Sequence, residues 1–284
     1  MLIIIKPSDK KNNKKQLKWL LDECRQRDLN YQLLLTTGDF QADCDAIKKA
    51  ATEFKKVVAV GGDGTLHLVV NALFAMPCVL ALLPCGTGND FARGFGCDQQ
   101  AWYQSIFSSE PRYIDIGQIN ERYFINVAGI GFDAEVVNSL AKQASRTVFS
   151  YRWQAIKQLW RFSAQPLTGV FAKQHKQYAN LMTVFANHSY FGGGLCIAPH
   201  AELADGLLEC YQIPSSGLLT ELYSFIQLLA VNHHRLTTLN YQQLSSALIS
   251  TPNLLIEADG ELVGRTPATV SIHHHALLFC CPEK

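Results

Sequence analysis

The sequence predicts an α/β N-terminal domain built on a parallel sheet, followed by a β-rich, sandwich-like C-terminal domain. Two observations predict this arrangement. Up to Asp115, short apolar runs alternate with segments of helical periodicity; beyond it, strand-like runs are separated by turns rich in glycine and aspartate. The length of 284 residues also suits two domains. We place the domains at 1–117 and 118–270, with 271–284 as a C-terminal segment that could return to the first domain.

The N-terminal domain shows two kinds of repeated pattern. Its predicted strands are apolar runs such as Leu2–Ile5, and its first predicted helix spaces Leu17, Leu20, Leu21 and Cys24 as one helical face requires. Apolar strands that alternate with helices are typical of a parallel sheet covered on both faces. The predicted strands are 2–5, 31–35, 56–60 and 79–83, and the predicted helices are 14–27, 43–54 and 65–74, with another beginning at Asn89.

The C-terminal domain is predicted from strand-like runs separated by turn signals such as Gly192-Gly193-Gly194 and Asp259-Gly260. The predicted strands are 123–127, 181–186, 207–213, 254–258 and 269–278. Two helical insertions are expected near 145–163 and 216–235. The first would place Trp153 and Trp160 on one apolar stripe, which fits packing on this domain or contact with an anionic membrane interface.

The composition argues against several classes of protein. A net charge of +1 argues against a dedicated nucleic-acid binder, which normally carries a strong basic excess. The nine cysteines include no C-x-x-C pair, so we expect reduced thiols in a cytosolic protein. No secretory leader is visible, and no apolar run approaches the ~18 residues of a transmembrane helix. We therefore expect a cytoplasmic protein with no transmembrane segment and no nucleic-acid partner.

A glycine-rich turn between a strand and a helix marks the first candidate site. In VVAVGGDGTLHLVV, residues 57–70, an apolar strand ends at Gly61 and a helix follows, with Thr65 as its expected N-cap. Backbone N–H groups at a helix N-terminus bind anions such as phosphate. The stretch matches neither the P-loop nor G-x-G-x-x-G. Asp63 would repel a bare phosphate, so it caps, binds a hydroxyl or works through Mg²⁺; an ordinary Asp-Gly turn is the alternative.

A second loop repeats this design. In LLPCGTGNDFAR, residues 82–93, an apolar strand again leads through a glycine turn with a threonine and an acidic residue into a helix start. The carboxyl ends of adjacent parallel strands face one crevice, where open α/β sheets bind ligands. Two such loops indicate a nucleotide site more strongly than either loop alone.

The two loops resemble a known family. GGDGT at 61–65, followed by P-x-G-T-x-N-D-F-A-R at 84–93, is similar to the diacylglycerol kinase catalytic domain superfamily, which includes bacterial soluble lipid kinases and sphingosine kinases. The resemblance continues in family order through F-I-N-V-A-G-I-G-F-D-A at 124–134, G-G-G at 192–194, A-D-G-L at 204–207 and D-G-E at 259–261. GGDGT is shared with NAD kinases and phosphofructokinases, so the resemblance implies their nucleotide-binding fold. NDFAR and the late DGE are more specific.

The resemblance implies an ATP-dependent kinase that phosphorylates a lipid hydroxyl. It makes Glu261 the general base, links Asp115 to the nucleotide-bound Mg²⁺ and adds Asp63 to the same set of acids. Phosphoryl transfer needs a metal ion to neutralise charge and a carboxylate to accept the alcohol proton; alone, Glu261 would suggest only a β-turn acid. A gap leaves the choice between Thr36 and Thr37 open for a further nucleotide contact. The other implied ATP contacts are Gly61, Gly62, Asp63, Gly64, Thr65, Leu66, His67, Thr87, Asn89 and Asp90.

A second metal site is implied at residues 201–207. The resemblance makes the Asp205 side chain a Mg²⁺ ligand and places Glu202 and Leu207 at carbonyl-ligand positions. Oxygen-only ligation suits Mg²⁺, although an ordinary Asp-Gly turn is the alternative. The run His273-His274-His275 resembles a metal clamp. On a strand, however, only His273 and His275 share a face, and no third ligand is evident nearby, so we expect no metal site there.

We therefore expect an ATP- and Mg²⁺-dependent lipid kinase, peripheral to the inner face of the membrane, with diacylglycerol as default acceptor and phosphatidic acid as product. A homodimer is left open. One alternative is an NAD kinase-type enzyme, which NDFAR disfavours. The other is a non-catalytic lipid-binding protein with a decayed kinase site, supported only by residues 6–10, which read K-P-S-D-K where the family often has N-P-x-S-G. His67 also stands where an amide or acid is usual.

Overall fold

The computed structural model describes residues 1–7, 11–108, 110–141, 157–160, 162–215, 217 and 239–282. The chain forms two compact units. Unit 1 comprises Met1–Ile114 and His275–Lys284, and unit 2 comprises Asp115–His274. Most of the two predicted helical insertions lies outside the described residues, as do residues 8–10 of the altered N-terminal segment.

Unit 1 is a parallel sheet with helices between its strands. Its elements are β1 (Leu2–Ile5), α1 (Lys11–Gln26), β2 (Gln32–Leu35), α2 (Phe40–Ala51), β3 (Lys56–Gly61), α3 (Asp63–Leu73), β4 (Val79–Pro84), α4 (Asp90–Gly94) and α5 (Gln99–Ser108). The strand order is β2–β1–β3–β4, and every neighbouring pair is parallel. Near the C-terminus, Leu278 and Phe279 add a further parallel pairing to β4. Strands β1, β3 and β4 are buried, as expected for a sheet covered on both faces, whereas β2 at the end of this order is largely exposed.

Three helices of unit 1 begin earlier than predicted: α1 at Lys11, α2 at Phe40 and α3 at Asp63. The N-terminus of α2 lies at Phe40 because the Asp39 side chain accepts the N–H of Ala42 at 2.9 Å and caps the helix. The first residue of α3 is Asp63, and Gly62 is its N-cap without a side-chain hydrogen bond. The predicted N-cap role of Thr65 is therefore wrong, since the extended backbone of Gly62 lets the helix start two residues sooner.

Unit 2 is dominated by antiparallel strands. Its elements are β5 (Arg112–Ile119, which begins in unit 1), β6 (Arg122–Phe124), β7 (Val127–Gly131), α6 (Phe132–Ala141), β8 (Gln165–Phe171), β9 (Gln174–Ala186), β10 (Tyr190–Phe191), β11 (Leu195–Cys196), β12 (Leu208–Pro214), β13 (Asn240–Leu244), β14 (Ser246–Ile249), β15 (Leu255–Ala258), β16 (Glu261–Arg265) and β17 (Ala268–Phe279, which ends in unit 1). The long strand β9 pairs with β7, β8 and β12. These two units confirm the predicted fold class.

The predicted strand 123–127 is wrong as a single element. The structure divides it into β6 and β7, which are separated by Ile125 and Asn126. The N–H groups of Ile125, Asn126 and Val127 point to one carboxylate, that of Asp259, instead of to a neighbouring strand. Apolar composition predicts extended backbone here, but it does not reveal which acceptor the backbone uses.

Candidate functional site

The two glycine loops of unit 1 are in direct backbone contact. A Cβ atom added to Gly62 would lie 2.8 Å from the Cα of Gly86, closer than real Cβ atoms come to other heavy atoms. Gly62 precedes α3 and Gly86 follows β4, so the ends of two adjacent parallel strands meet at this point. Only residues without side chains allow this approach.

Asp63 joins the two loops through a hydrogen bond. It lies in the first turn of α3, and its Oδ1 accepts the N–H of Phe91 in the first turn of α4 at 3.1 Å. An acidic side chain is favourable at a helix N-terminus, where N–H groups lack partners within the helix. The carboxylate therefore has a structural task that does not require a ligand.

The NDFAR loop is held by its own side chains. Asn89 adopts a left-handed backbone with φ of 49°, and its amide accepts the N–H of Gly86 at 2.9 Å and donates to the Gly86 carbonyl at 3.1 Å. Arg93 donates to the carbonyl of Gly88 at 3.3 Å and lies 4.0 Å from the buried carboxylate of Asp90. The hydroxyl-bearing Thr87 is exposed at the tip of this loop.

Thr36 and Thr37 differ in their surroundings. Thr36 is buried, whereas Thr37 is exposed and donates through its N–H and hydroxyl to Asp43 at 2.8 and 2.9 Å. Gly38 donates to the second Asp43 oxygen at 3.0 Å. Burial tends to raise the pKa of Asp43, but these hydrogen bonds outweigh it and the pKa is lowered. The turn after β2 is thus fixed around a charged carboxylate.

Among the residues implied to contact ATP, Leu66 and His67 have buried side chains. The His67 ring lies 5.8 Å from the Phe40 ring, centroid to centroid. Side chains of this kind pack within unit 1. Gly61 is also committed to packing, because a Cβ atom there would collide with the Thr65 side chain. Gly64 is exposed, and it lies in the first turn of α3, where backbone N–H groups point out of the helix end.

In unit 2, Asp115 is fully buried beside the predicted second metal loop. Its Oδ2 accepts the N–H of Gly206 at 2.6 Å, and its own N–H donates to the Leu203 carbonyl at 2.6 Å. Its Oδ1 lies 2.9 Å from Nδ1 of His274. The structure thus brings Asp115 to the loop that carries Glu202, Asp205 and Leu207. The sequence did not predict the contact between His274 and Asp115, because no local pattern in β17 indicates a partner 159 residues away.

The loop predicted to bind a metal, residues 201–207, is acidic. The Asp205 carboxylate accepts the N–H of Leu207 at 2.9 Å, which closes a tight turn. Burial raises the pKa of Asp205 although the Leu207 N–H opposes this, and the charges of Asp115, Glu209 and Glu202 raise it further. Carboxylates gathered at one place favour the binding of a proton or a metal ion.

The DGE turn of unit 2 is anchored by Asp259. Its carboxylate accepts three backbone N–H groups, from Ile125 at 3.0 Å, Asn126 at 2.8 Å and Val127 at 3.2 Å. Asp259 and Gly260 both have positive φ, 51° and 83°, as a two-residue hairpin turn requires. Glu261 follows as the first residue of β16, and its side chain is partly exposed.

Two further polar residues support this turn and were not predicted as site residues. Asn187 donates to the carbonyls of Asp115 at 3.0 Å and Ile125 at 2.9 Å, so it links the Asp115 strand to the segment that Asp259 holds. Glu257 accepts the N–H of Gly260 at 2.9 Å. A single sequence offers no signal for either contact.

Family models cover nearly the whole chain. Residues 1–119 match the diacylglycerol kinase catalytic domain, and residues 126–281 match the YegS C-terminal NAD kinase beta sandwich-like domain. Among the described residues, no helix has the length and apolar composition needed to cross a membrane.

Individual proteins agree with the family models. A diacylglycerol kinase of Bacillus subtilis is 25% identical over 280 residues, 95% of this chain and 92% of that protein. A probable lipid kinase YegS-like of Chromohalobacter salexigens is 31% identical over 180 residues, 60% of this chain and only 58% of that protein. The crystal structure of a diacylglycerol kinase from Bacillus anthracis shares the fold, with a TM-score of 0.75 at 20% identity over 98% of this chain and 96% of that chain.

The order of the motifs, the parallel-sheet unit with its paired glycine loops and the family models lead to one assignment. The chain belongs to the lipid kinase family that joins a diacylglycerol kinase catalytic domain to a YegS C-terminal domain, and it is a kinase.

Proposed function

We propose that the protein transfers the γ-phosphate of ATP to a hydroxyl group of a lipid, with Mg²⁺ as the metal and diacylglycerol as the default acceptor. The observation that carries this proposal is the DGE turn. The Asp259 carboxylate accepts three backbone N–H groups, which fixes the turn. Glu261 is the next acid in the sequence, and we propose that it is the general base.

Unit 1 is proposed to bind the nucleotide. The start of α3 offers backbone N–H groups to phosphate oxygens, and the close contact between Gly62 and Gly86 brings the second glycine loop against this helix start. Thr87 is exposed and can be reached by a ligand, and Thr37 donates its hydroxyl to Asp43 in the turn after β2. Contacts from Leu66 and His67 would have to come from their backbone, because their side chains are buried.

The available donors fit Mg²⁺. Carboxylate and carbonyl oxygens are its preferred ligands, and Asp205 and the carbonyls of Glu202 and Leu207 offer such a set in one turn beside the buried Asp115. Asp63 and Asp115 are the acids proposed to act on a nucleotide-bound ion. Bound Mg²⁺ supplies neutralisation of charge on the phosphate oxygens.

The chemistry assigned to this chain is a single proton transfer with an in-line displacement. As the acceptor oxygen bonds to the γ-phosphorus, its proton passes to the Glu261 carboxylate, and the bond from the γ-phosphorus to the β,γ-bridging oxygen breaks to release ADP. With diacylglycerol as acceptor the product is phosphatidic acid. Because the acceptor is a lipid, we propose that the enzyme works at a membrane surface.

A radiolabelled ATP screen tests the function. The purified chain is incubated with Mg²⁺ and mixed micelles that contain diacylglycerol, phosphatidylglycerol, sphingosine or ceramide, and separately with NAD. Label in phosphatidic acid is expected. Label in NAD alone would favour the NAD kinase-type alternative, and no labelled product with any acceptor would favour a decayed kinase site.

A further inference from the structure

Two buried carboxyl groups lie beside each other beneath the DGE turn. Asp133 is the second residue of α6, and Glu257 is on β15; both side chains are buried. Gly129 of β7 lies directly opposite Glu257 in the antiparallel ladder. A Cβ atom added to Gly129 would collide with the Asp133 carboxylate. Residues directly opposite each other point to the same face of a sheet, so the glycine leaves the space in which the two acids meet.

These acids have few hydrogen-bond donors. The Oε2 atom of Glu257 accepts the N–H of Gly260. Within the described parts of the chain, no hydrogen bond of good geometry reaches Glu257 Oε1 or either oxygen of Asp133. The N–H groups of Asp133 and Ala134, at the start of α6, favour the charged form of Asp133 only in part. Buried carboxylate oxygens without donors are costly, so a proton would give this pair the hydrogen bond that it lacks.

Within the described residues, the charges that act on Glu257 are negative. Burial raises the pKa of Asp133. Burial and then the charge of Asp133 raise the pKa of Glu257, against the effect of the Gly260 N–H, and Asp259 and Glu261 add further negative charge from the turn and from β16. The packed strand β7 reads Val-Ala-Gly-Ile-Gly and brings no titratable group. Arg265 of β16 lies at the far end of the hairpin, opposite Leu255.

We propose that Asp133 and Glu257 share one proton as a carboxylic acid–carboxylate pair, and that this pair positions the turn that carries Glu261. The protonated carboxyl donates to its neighbour, which removes the repulsion between two buried charges. Glu257 then keeps its contact with the Gly260 N–H. Asp259, which lies in the same turn, anchors it by accepting the N–H of Asn126. The positioning part rests on the proposed role of Glu261, whereas the shared proton does not.

Glu257→Gln tests the shared proton without relying on enzyme activity. Glutamine resembles a protonated glutamic acid in shape and donor capacity but does not ionise. The folded wild type is expected to hold a proton that the unfolded chain releases above about pH 4.3. The wild-type unfolding constant should therefore rise by up to tenfold per pH unit above that value, relative to Glu257→Gln. The exposed Glu121→Gln is the control and should follow the wild type.

Infrared difference spectra give a direct reading. The wild type at neutral pH should show the carbonyl band of a protonated carboxylic acid, and Glu257→Gln should lack it. Equal pH dependence of melting in the two proteins, or a band that survives the substitution, would overturn the shared proton. A rise in Tm with Mg²⁺ or Ca²⁺ in the wild type that both Glu257→Gln and Asp133→Asn abolish would also overturn it, since the pair would then hold a cation.

Kinetics test the positioning role. Glu257→Gln should keep kcat within about threefold of the wild type, while Glu257→Ala, which loses the Gly260 contact, should lower kcat at least tenfold with an unchanged KM for ATP. Equal kcat for Glu257→Ala and the wild type would overturn the positioning role. Absence of phosphotransfer in the wild type would instead contradict the proposed function and end the positioning proposal with it, and the melting and infrared measurements would still decide the shared proton.

Discussion

The Asp63 carboxylate accepts the backbone N–H of Phe91 at 3.1 Å and so joins the N-termini of α3 and α4. The same two segments touch through Gly62 and Gly86. A side chain that suggested a conflict with phosphate binding therefore holds the second loop against the first. Asp63 therefore stabilises the contact between the two loops, whatever role it also has toward a metal-bound nucleotide.

Two substitutions of Asp63 separate these tasks. Asp63→Asn keeps an oxygen that can accept the Phe91 N–H, so its free energy of unfolding in urea should fall by less than that of Asp63→Ala, which we expect to lose about 1–2 kcal/mol. If the charge also acts through Mg²⁺, both variants lose phosphotransfer. Full activity in Asp63→Asn would show that only the hydrogen bond is needed.

The glycine pair predicts a steric effect. In Gly62→Ala the added Cβ would lie 2.8 Å from Gly86, so the loops must separate, at a cost of roughly 1–3 kcal/mol. The KM for ATP should rise. Gly96→Ala is a matched control, since Gly96 has φ of 65° with open space around its Cβ position. It should lose stability through backbone strain alone and keep the KM of the wild type.

Sequence patterns located the loops, and contacts between distant residues explain what the patterns missed. Asp259 is visible as part of D-G-E, but its three donors lie 132 to 134 residues earlier in the chain. The strand β16 was not predicted because Glu261–Arg265 is largely exposed and lacks an apolar face. Glu257 shares its strand with apolar neighbours, and only the ladder to Gly129 shows that it faces Asp133. The local periodicity of apolar residues predicts which side chains are buried. The contacts of Asp259 and Glu257 depend instead on which strands pair, and local periodicity does not show this.

Glu261→Gln should reduce kcat by about 10²–10⁴-fold, because glutamine cannot accept the alcohol proton. Its Tm should stay near that of the wild type, since Asp259 and Glu257 hold the turn. Phosphotransfer to diacylglycerol and thermal melting are the two measurements, with the exposed Glu121→Gln as the control. Near-normal transfer by Glu261→Gln would require another base.

The acidic loop of unit 2 predicts a stabilising metal ion. Removal of Mg²⁺ with EDTA should lower the Tm of the wild type, and a concentration of Mg²⁺ about 100 times the Kd should restore about 2.7 kcal/mol. Asp205→Asn should melt at the same temperature with and without Mg²⁺, because it lacks the proposed side-chain ligand. A Tm of the wild type that does not respond to Mg²⁺ would leave the loop as an ordinary Asp-Gly turn.

His188 predicts a loss of stability in mild acid. Its Nδ1 accepts the N–H of Ser189 at 2.8 Å, which requires the neutral ring, and burial lowers the pKa of His188 to about 4. An unfolded histidine has a pKa of about 6.5. Between these two pKa values the unfolded chain binds a proton at His188 and the folded chain does not. The free energy of unfolding therefore falls as the pH falls, by up to ~3 kcal/mol in total.

His188→Asn isolates this effect from the other groups that titrate in acid. Asparagine still offers an oxygen to the Ser189 N–H and has no proton to gain in this range. The variant should be less stable than the wild type at pH 7, because it leaves a cavity, yet it should lose less stability between pH 6.5 and pH 4 in urea unfolding. The exposed His175→Asn should behave like the wild type across the same interval. Parallel stability curves for His188→Asn and the wild type would mean that His188 is protonated in the folded protein.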